Sequence, residues 1–281
     1  MKKKQKAIKS IISSTFAFLL TLIFLALFIL VGLYYGVFNN RIILSKVNES
    51  NYYNEIYEEL QDRAEDILQE AGLPVSVLSE VITLERVYIG GKYYIEDALL
   101  GKDPVIHTDK VRNQLELNMN QYLTKAGISR TKELDVGIEE IVNKVEQEYK
   151  RGIQFQFINY IAEYKALYRN LIRITIPVLV VMAAAISALL IKMYRFKHSG
   201  IRYLAYAMIA STCIIISSSA FLLVTKSYDR IVLLPDYYDR FITNYIKWDI
   251  QVFLYLGGIG LLLSVVLIIL VGYVKNTITS R

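Results

Sequence analysis

The sequence predicts an all-α membrane protein: four transmembrane helices, with a mainly helical extracytoplasmic domain inserted between helices 1 and 2. Three observations carry that prediction. Of the 281 residues 54% are hydrophobic and the mean hydropathy is +0.35, which is unusual for a soluble chain of this length. The apolar residues gather in four blocks free of Asp, Glu, Lys and Arg: Ile11 to Phe38, Ile174 to Ile191, Tyr203 to Thr225 and Ile250 to Val274. The polar stretch between the first two blocks repeats apolar residues every three or four positions, the period of helices with one buried face.

A helix rises about 1.5 Å per residue and a hydrocarbon core is about 30 Å thick, so each block is long enough to cross. The expected spans are residues 11–38, 171–191, 203–225 and 250–274. The first follows MKKKQKAIKS, a basic start of the kind a secretory signal also has. Signal cores run about 7 to 15 apolar residues and end at a small-residue cleavage site. This run is longer and ends in GLYYGVF with no Ala-x-Ala pattern, so it is expected to remain as an anchor.

Charge sets the expected orientation. One side of the blocks holds residues 1–10 with Lys2, Lys3, Lys4, Lys6 and Lys9, the loop 192–202 with Lys192, Arg195, Lys197 and Arg202, and the tail 275–281 with Lys275 and Arg281. That side has no acid. The other side comprises residues 39–170, the loop 226–249 and the span-edge Arg173. It holds the remaining 21 of the 32 Lys and Arg and all 26 Asp and Glu. Short basic flanks stay in the cytoplasm, so both termini and the 192–202 loop are expected inside a plasma membrane, with 39–170 and 226–249 outside. Cys213, within the third span, is the lone cysteine, so one chain can form no disulfide. The cysteine-poor composition, rich in Lys, Ile, Asn and Tyr, suggests a Gram-positive bacterium. Asn48 heads an Asn-Glu-Ser glycosylation pattern that such a host would leave unused.

Within 39–170, Tyr53, Ile56, Tyr57, Leu60, Ala64, Ile67, Leu68 and Ala71 mark one helix face, with Gly72 and Pro74 as a stop. Val111, Leu115, Met119, Tyr122 and Leu123 mark a second, with Thr108 as N-cap and Gly127 as C-terminal cap. Ile138, Ile141, Val142, Val145, Tyr149 and Ile153 mark a third. Pro74 to Leu84 reads as a short further helix. Gly90-Gly91 either closes a two-residue hairpin or separates two helical pieces; the spacing of Ile95, Ala98 and Leu99 favours the helix. No strong turn signal separates Ile138 from Ile191, so one long helix is expected there, weakened at Gly152 and kinked at Pro177, a candidate hinge.

Motifs for chemistry are missing from the sequence. His107 and His198 belong to no His-x-x-x-His or Glu-x-x-His pattern, and neither a Gly-x-x-x-x-Gly-Lys-Ser/Thr loop nor a Gly-x-Ser-x-Gly turn occurs. Both histidines read as surface residues. No catalytic residue, cofactor or metal is expected, and no nucleic-acid partner. Ionisable residues deep in a span would mark an ion path, yet Arg173, Lys226 and Asp249 sit only at outer edges, where Asp249 is expected to meet water.

Small residues point to close helix packing in lipid: Gly32 and Gly36, Ala184 and Ala188, Ser217 and Ser218, and Gly257 and Gly258. They serve packing within one bundle, or a homo-oligomer. Lys192, Arg195, Lys197 and Arg202 read as contacts to anionic lipid headgroups, or as a docking site for a cytoplasmic protein. Tyr34, Tyr35, Tyr237, Tyr238, Tyr245 and Trp248 read as an interfacial belt. The order of parts resembles the four-span ABC permeases that transmit force between an ATPase and the cell envelope, and an envelope or membrane protein partner is expected. The short basic start, however, leaves little room for the amphipathic cytoplasmic helix those permeases carry. The function expected is an accessory or interaction protein whose outside domain binds or senses an envelope partner or ligand. A permease-like subunit and a membrane-bound envelope enzyme are the alternatives.

Overall fold

The computed structural model describes residues 2–155, 157–194, 196–230, 233 and 235–279. Among the described residues there are nine α-helices, two short 3-10 turns and no strand. The helices are α1 (Lys2–Tyr35), α2 (Asn40–Glu49), α3 (Tyr52–Glu70), α4 (Leu84–Leu99), α5 (Asp109–Lys125), α6 (Lys132–Ile153), α7 (Ile158–Met193), α8 (Lys197–Thr225) and α9 (Asp236–Thr279). Four contain segments long and apolar enough to cross a membrane: Ile8–Tyr35, Ile158–Met193, Lys197–Thr225 and Asp236–Asn276. The chain is an all-helical membrane protein with four candidate spans.

It divides into two compact units. The first comprises Met1–Ile42, Leu167–Leu233 and Ile242–Arg281, and holds the apolar parts of α1, α7, α8 and α9. Its buried centre joins Leu20 and Ile23 of α1 to Ala183 and Leu190 of α7 and Ala207 of α8. Beyond that centre the helices leave large apolar side chains uncovered: Val224 is 82% exposed, Ile174 71% and Val181 67%. Such surface would be a liability in water and is the natural face of a helix in hydrocarbon.

The second unit, Ile43–Ala166 with Leu234–Phe241, has its own core. From α3 come Tyr52, Tyr53, Ile56, Leu60, Ala64 and Leu68; from α5 Val111, Leu115, Met119 and Leu123; from α6 Val142, Val145, Tyr149 and Ile153. These are the faces the periodicity marks, with Tyr57, Ile67, Tyr122, Ile138 and Ile141 half-buried at their edges and Ala71 exposed. Helix α3 packs on α4 and α6, and α5 on α6. The two expected glycine caps form. Gly72 (φ 70°) and Gly127 (φ 66°) take the left-handed turn that returns the next amide to the helix: Leu73 N donates to Leu68 O at 2.8 Å, and Ile128 N to Leu123 O at 3.0 Å.

Three local expectations change, and the helical reading of Gly90-Gly91 holds. Thr108 makes no cap bond; its buried hydroxyl donates 2.8 Å to Glu146 Oε1 instead, a charged acceptor outcompeting a backbone amide. Pro74 to Leu84 gives only a 3-10 turn, Val75–Leu78, followed by a loop, and Leu84 already opens α4 behind the N-cap Thr83. Gly90 and Gly91 lie inside α4: a Cβ on Gly91 would come within 2.8 Å of the Tyr53 ring, so the glycine serves close helix approach rather than a turn. The long helix from Ile138 is interrupted, α6 stopping at Ile153 and α7 starting at Ile158. Phe155, in the gap, is fully buried against Tyr52, Tyr238 and Phe241 at ring-centroid distances of 5.1, 5.5 and 5.2 Å. Burying that ring outweighs the one or two helical hydrogen bonds that continuity would add.

The same cluster reassigns part of the tyrosine belt. Tyr34 and Tyr35 are exposed, whereas Tyr237 and Tyr238 are 7% and 5% exposed and sit with Phe241 in the core of the second unit. Polar contacts lock this segment to α3: Tyr237 Oη donates to Glu59 Oε2 at 3.0 Å, and Arg240 Nη2 pairs with Glu55 Oε1 at 2.6 Å. Elsewhere Glu146 ties α5 to α6, with Lys150, Thr108 and Arg112 around it. Its carboxyl is pushed down to about 2, chiefly by the Lys150 hydrogen bond; burial opposes this, and the hydrogen bonds from Thr108 and Arg112 lower it further.

Replacing Phe241 by Ala should cost the second unit roughly 3–5 kcal/mol. Hydrogen exchange in the intact protein should then quicken at α3 amides around Ile56 and Leu60, while Val224→Ala, at an uncovered site, leaves them unchanged. Equal protection in the two variants would mean that the segment does not complete this core.

Candidate functional site

In the first unit the small residues divide by face. Gly32 lies against the Phe253 ring and Gly36 against Asp249, a Cβ on Gly36 meeting the Asp249 carboxyl oxygen at 2.7 Å. Gly257 faces Ile216, where a Cβ would come to 2.5 Å, and Gly260 faces Thr212 and Phe28. Gly258 has open space at its Cβ position, and Ala184 and Ala188 are exposed while Ala183 is buried. Ser217 and Ser218 are exposed too, and Ser218 Oγ donates to Ile214 O at 2.8 Å within its own helix; in α8 the hydroxyls of Ser211, Thr212 and Ser219 are the buried ones. Pro177 lies inside α7, which continues through it, and lines a cavity of about 410 Å³ with Tyr34, Tyr35 and Arg173.

Asp249 departs from expectation. It is 8% exposed, covered by Gly36, and its Oδ1 has no hydrogen-bond partner among the described residues, whereas a span-edge carboxylate was expected to meet water. One turn earlier Tyr245 donates its hydroxyl to the Val37 carbonyl. The glycine spacing that brings α1 close to α9 therefore also covers the acid.

At the basic turn, Lys192, Lys197 and Arg202 are exposed; Arg195 lies outside the described residues. Aromatic rings carry the cations: Lys9 Nζ stands 4.4 Å from the Tyr194 ring centre and the Arg202 guanidinium 5.9 Å from that of Tyr206. Tyr194 stacks on Tyr203 at 5.7 Å and donates to Ser13 Oγ at 2.9 Å. Gly200 lets the turn close, since a Cβ there would reach the Ile191 Cα at 2.6 Å. His107 is exposed, but His198 is half-buried and its Nδ1 has no hydrogen-bond partner among the described residues.

The second unit has an open cleft of about 350 Å³ between the start of α3 and the start of α4. Asn48, Asn51, Tyr53, Asn54, Leu84, Glu85 and Tyr88 line it. Its wall is the turn between α2 and α3. Ser50 Oγ donates to Val47 O at 2.7 Å, Asn51 takes the left-handed conformation at φ 62°, and Asn54 Nδ2 donates to Asn51 Oδ1 at 2.5 Å. Tyr53 is the buried floor and meets Tyr88 edge-on at 4.9 Å, burial pushing its phenol well above the usual tyrosine range. Tyr88, 41% exposed, turns part of its ring outward. The Gly91 contact that seats α4 on Tyr53 is what sets the width of this opening.

In the sequence Asn48 stands out only as a glycosylation pattern, Tyr53 as a buried helix position and Leu84 as a helix end, and none of the seven as part of a site. The available signal was NESNYYN, which repeats Asn at a three-residue interval beside two tyrosines. No protein-family model matches the chain, and no curated protein and no solved structure matches it. Among the described residues no three of His, Cys, Asp and Glu converge to hold a metal ion.

Gly36→Val should force α1 off Asp249 and cost about 1–3 kcal/mol by overpacking. Thermal unfolding in detergent should fall accordingly, while Gly258→Ala, with free space around it, melts like the parent. A Gly36→Val protein as stable as the parent would refute the close α1–α9 seam.

Proposed function

We propose that this is a multi-pass plasma-membrane protein, with both termini cytoplasmic, whose helical second unit lies outside the cell and binds an envelope ligand or partner. The observation that carries the reading is the open cleft on a unit with a complete core of its own. The charge asymmetry of the sequence supports the orientation, and the absence of catalytic motifs in the sequence favours binding over catalysis. The cysteine-poor composition supports a Gram-positive bacterial envelope as the setting.

Engineered cysteines test the sidedness directly. In a Cys213→Ala background, Ser129→Cys in the second unit should react with an impermeant thiol reagent on whole cells. Ser199→Cys, in the basic turn, should react only after permeabilisation. Labelling at 199 without permeabilisation, and none at 129, would invert the orientation and place the cleft in the cytoplasm.

A further inference from the structure

The cleft allows one step more, which rests on the reading of the second unit as a binding domain. Its ligand chemistry follows from what the walls offer. Asn48, Asn51 and Asn54 bring amides, which both donate and accept; Glu85 brings a carboxylate, and Tyr88 an outward ring with a phenol at its tip. Asn51 is committed to the turn, accepting from Asn54 and donating to Glu55 Oε1 at 3.5 Å. Asn48 and Glu85 make no side-chain hydrogen bond or ion pair among the described residues, and the Asn54 carbonyl oxygen is likewise free. These groups are therefore available to a ligand.

What the walls lack is as informative. Among the described residues no Lys, Arg or His lines the cleft, so a phosphate or carboxylate ligand would face Glu85 without a countercharge. A wholly apolar ligand would strip water from the amides and the carboxylate and leave them unpaired. A chemistry that satisfies every wall is a neutral ring bearing hydroxyls on its rim and C–H groups on its face. The hydroxyls would meet the amides and Glu85, and the C–H face would lie on Tyr88 beside Leu84. About 350 Å³ is at the lower end of small-ligand pockets, which run roughly 300–1,000 Å³, and suits a short ligand rather than a long chain. We propose that this cleft binds a neutral saccharide unit of an envelope glycan through Asn48, Asn54, Glu85 and Tyr88.

The test uses the full chain in lipid nanodiscs prepared without glycoside detergent. Saturation-transfer NMR with the neutral disaccharides chitobiose and maltose reads contact at their ring protons, with glucose 6-phosphate and trilysine as comparison probes. At least one disaccharide should receive transfer. Tyr88→Ala and Asn54→Ala should each weaken its binding on the order of tenfold, while Tyr88→Phe, which keeps the ring, binds like the parent. Circular dichroism melts establish that each variant folds, and Asn54→Ala, at an exposed position, serves if Tyr88→Ala does not. Absence of transfer from both disaccharides, or undiminished binding in folded Tyr88→Ala and Asn54→Ala, would overturn the proposal. Transfer to glucose 6-phosphate or trilysine in their place, lost in the same variants, would overturn the saccharide while leaving a binding unit standing.

Discussion

Phe155 has no exposed surface, and its burial organises the second unit. Around its ring stand Tyr52 from α3, Tyr238 and Phe241 from the start of α9, and Phe157 from its own segment. Each such aromatic pair adds about 0.5–1.5 kcal/mol beyond the area it buries, and the ring can be reached only if α6 ends before it. The break between α6 and α7, the recruitment of residues 235–241 and the placement of Tyr52 are thus one event. With Tyr52 fixed, its neighbour Tyr53 presents its ring to Gly91, α4 seats against α3, and the cleft by Tyr88 takes its shape.

The first unit is governed by a different balance. Lipid tails are as apolar as Leu, so burial supplies little drive between spans, and contact area and backbone proximity take over. Gly32, Gly36, Gly257 and Gly260 mark where neighbours approach, and the exposed Val, Ile and Leu elsewhere need no cover. One consequence is the enclosure of Asp249 beneath Gly36. A carboxyl oxygen without a partner in such a place is costly, and removing the glycine would change its surroundings as much as the helix spacing.

The sequence made legible whatever depends on local pattern. Blocks without charge mark the four candidate spans, three- and four-residue spacing marks the buried faces of α3, α5 and α6, and Gly72 and Gly127 mark helix ends. What it concealed depends on residues far apart along the chain. Tyr237 and Tyr238 beside an apolar block have the composition of an interfacial belt, and only Tyr52 and Phe155, distant in sequence, make them core. Thr108 has the composition of a cap, and only Glu146 diverts its hydroxyl. The cleft was hidden for the same reason, since Asn54 and Tyr88 become neighbours through the packing of α4 on α3.

The central claim is that the first turns of α9 complete the core of the second unit, and proximity of Arg240 to Glu55 tests it most directly. Cysteines at these two positions, in a Cys213→Ala background, replace side chains whose ends lie 2.6 Å apart. A short bismaleimide added to the folded protein should join them, giving by mass spectrometry a single linked peptide that disappears when the protein is denatured before reaction. Two cysteines modified separately in the folded protein, with no linked peptide, would contradict the account.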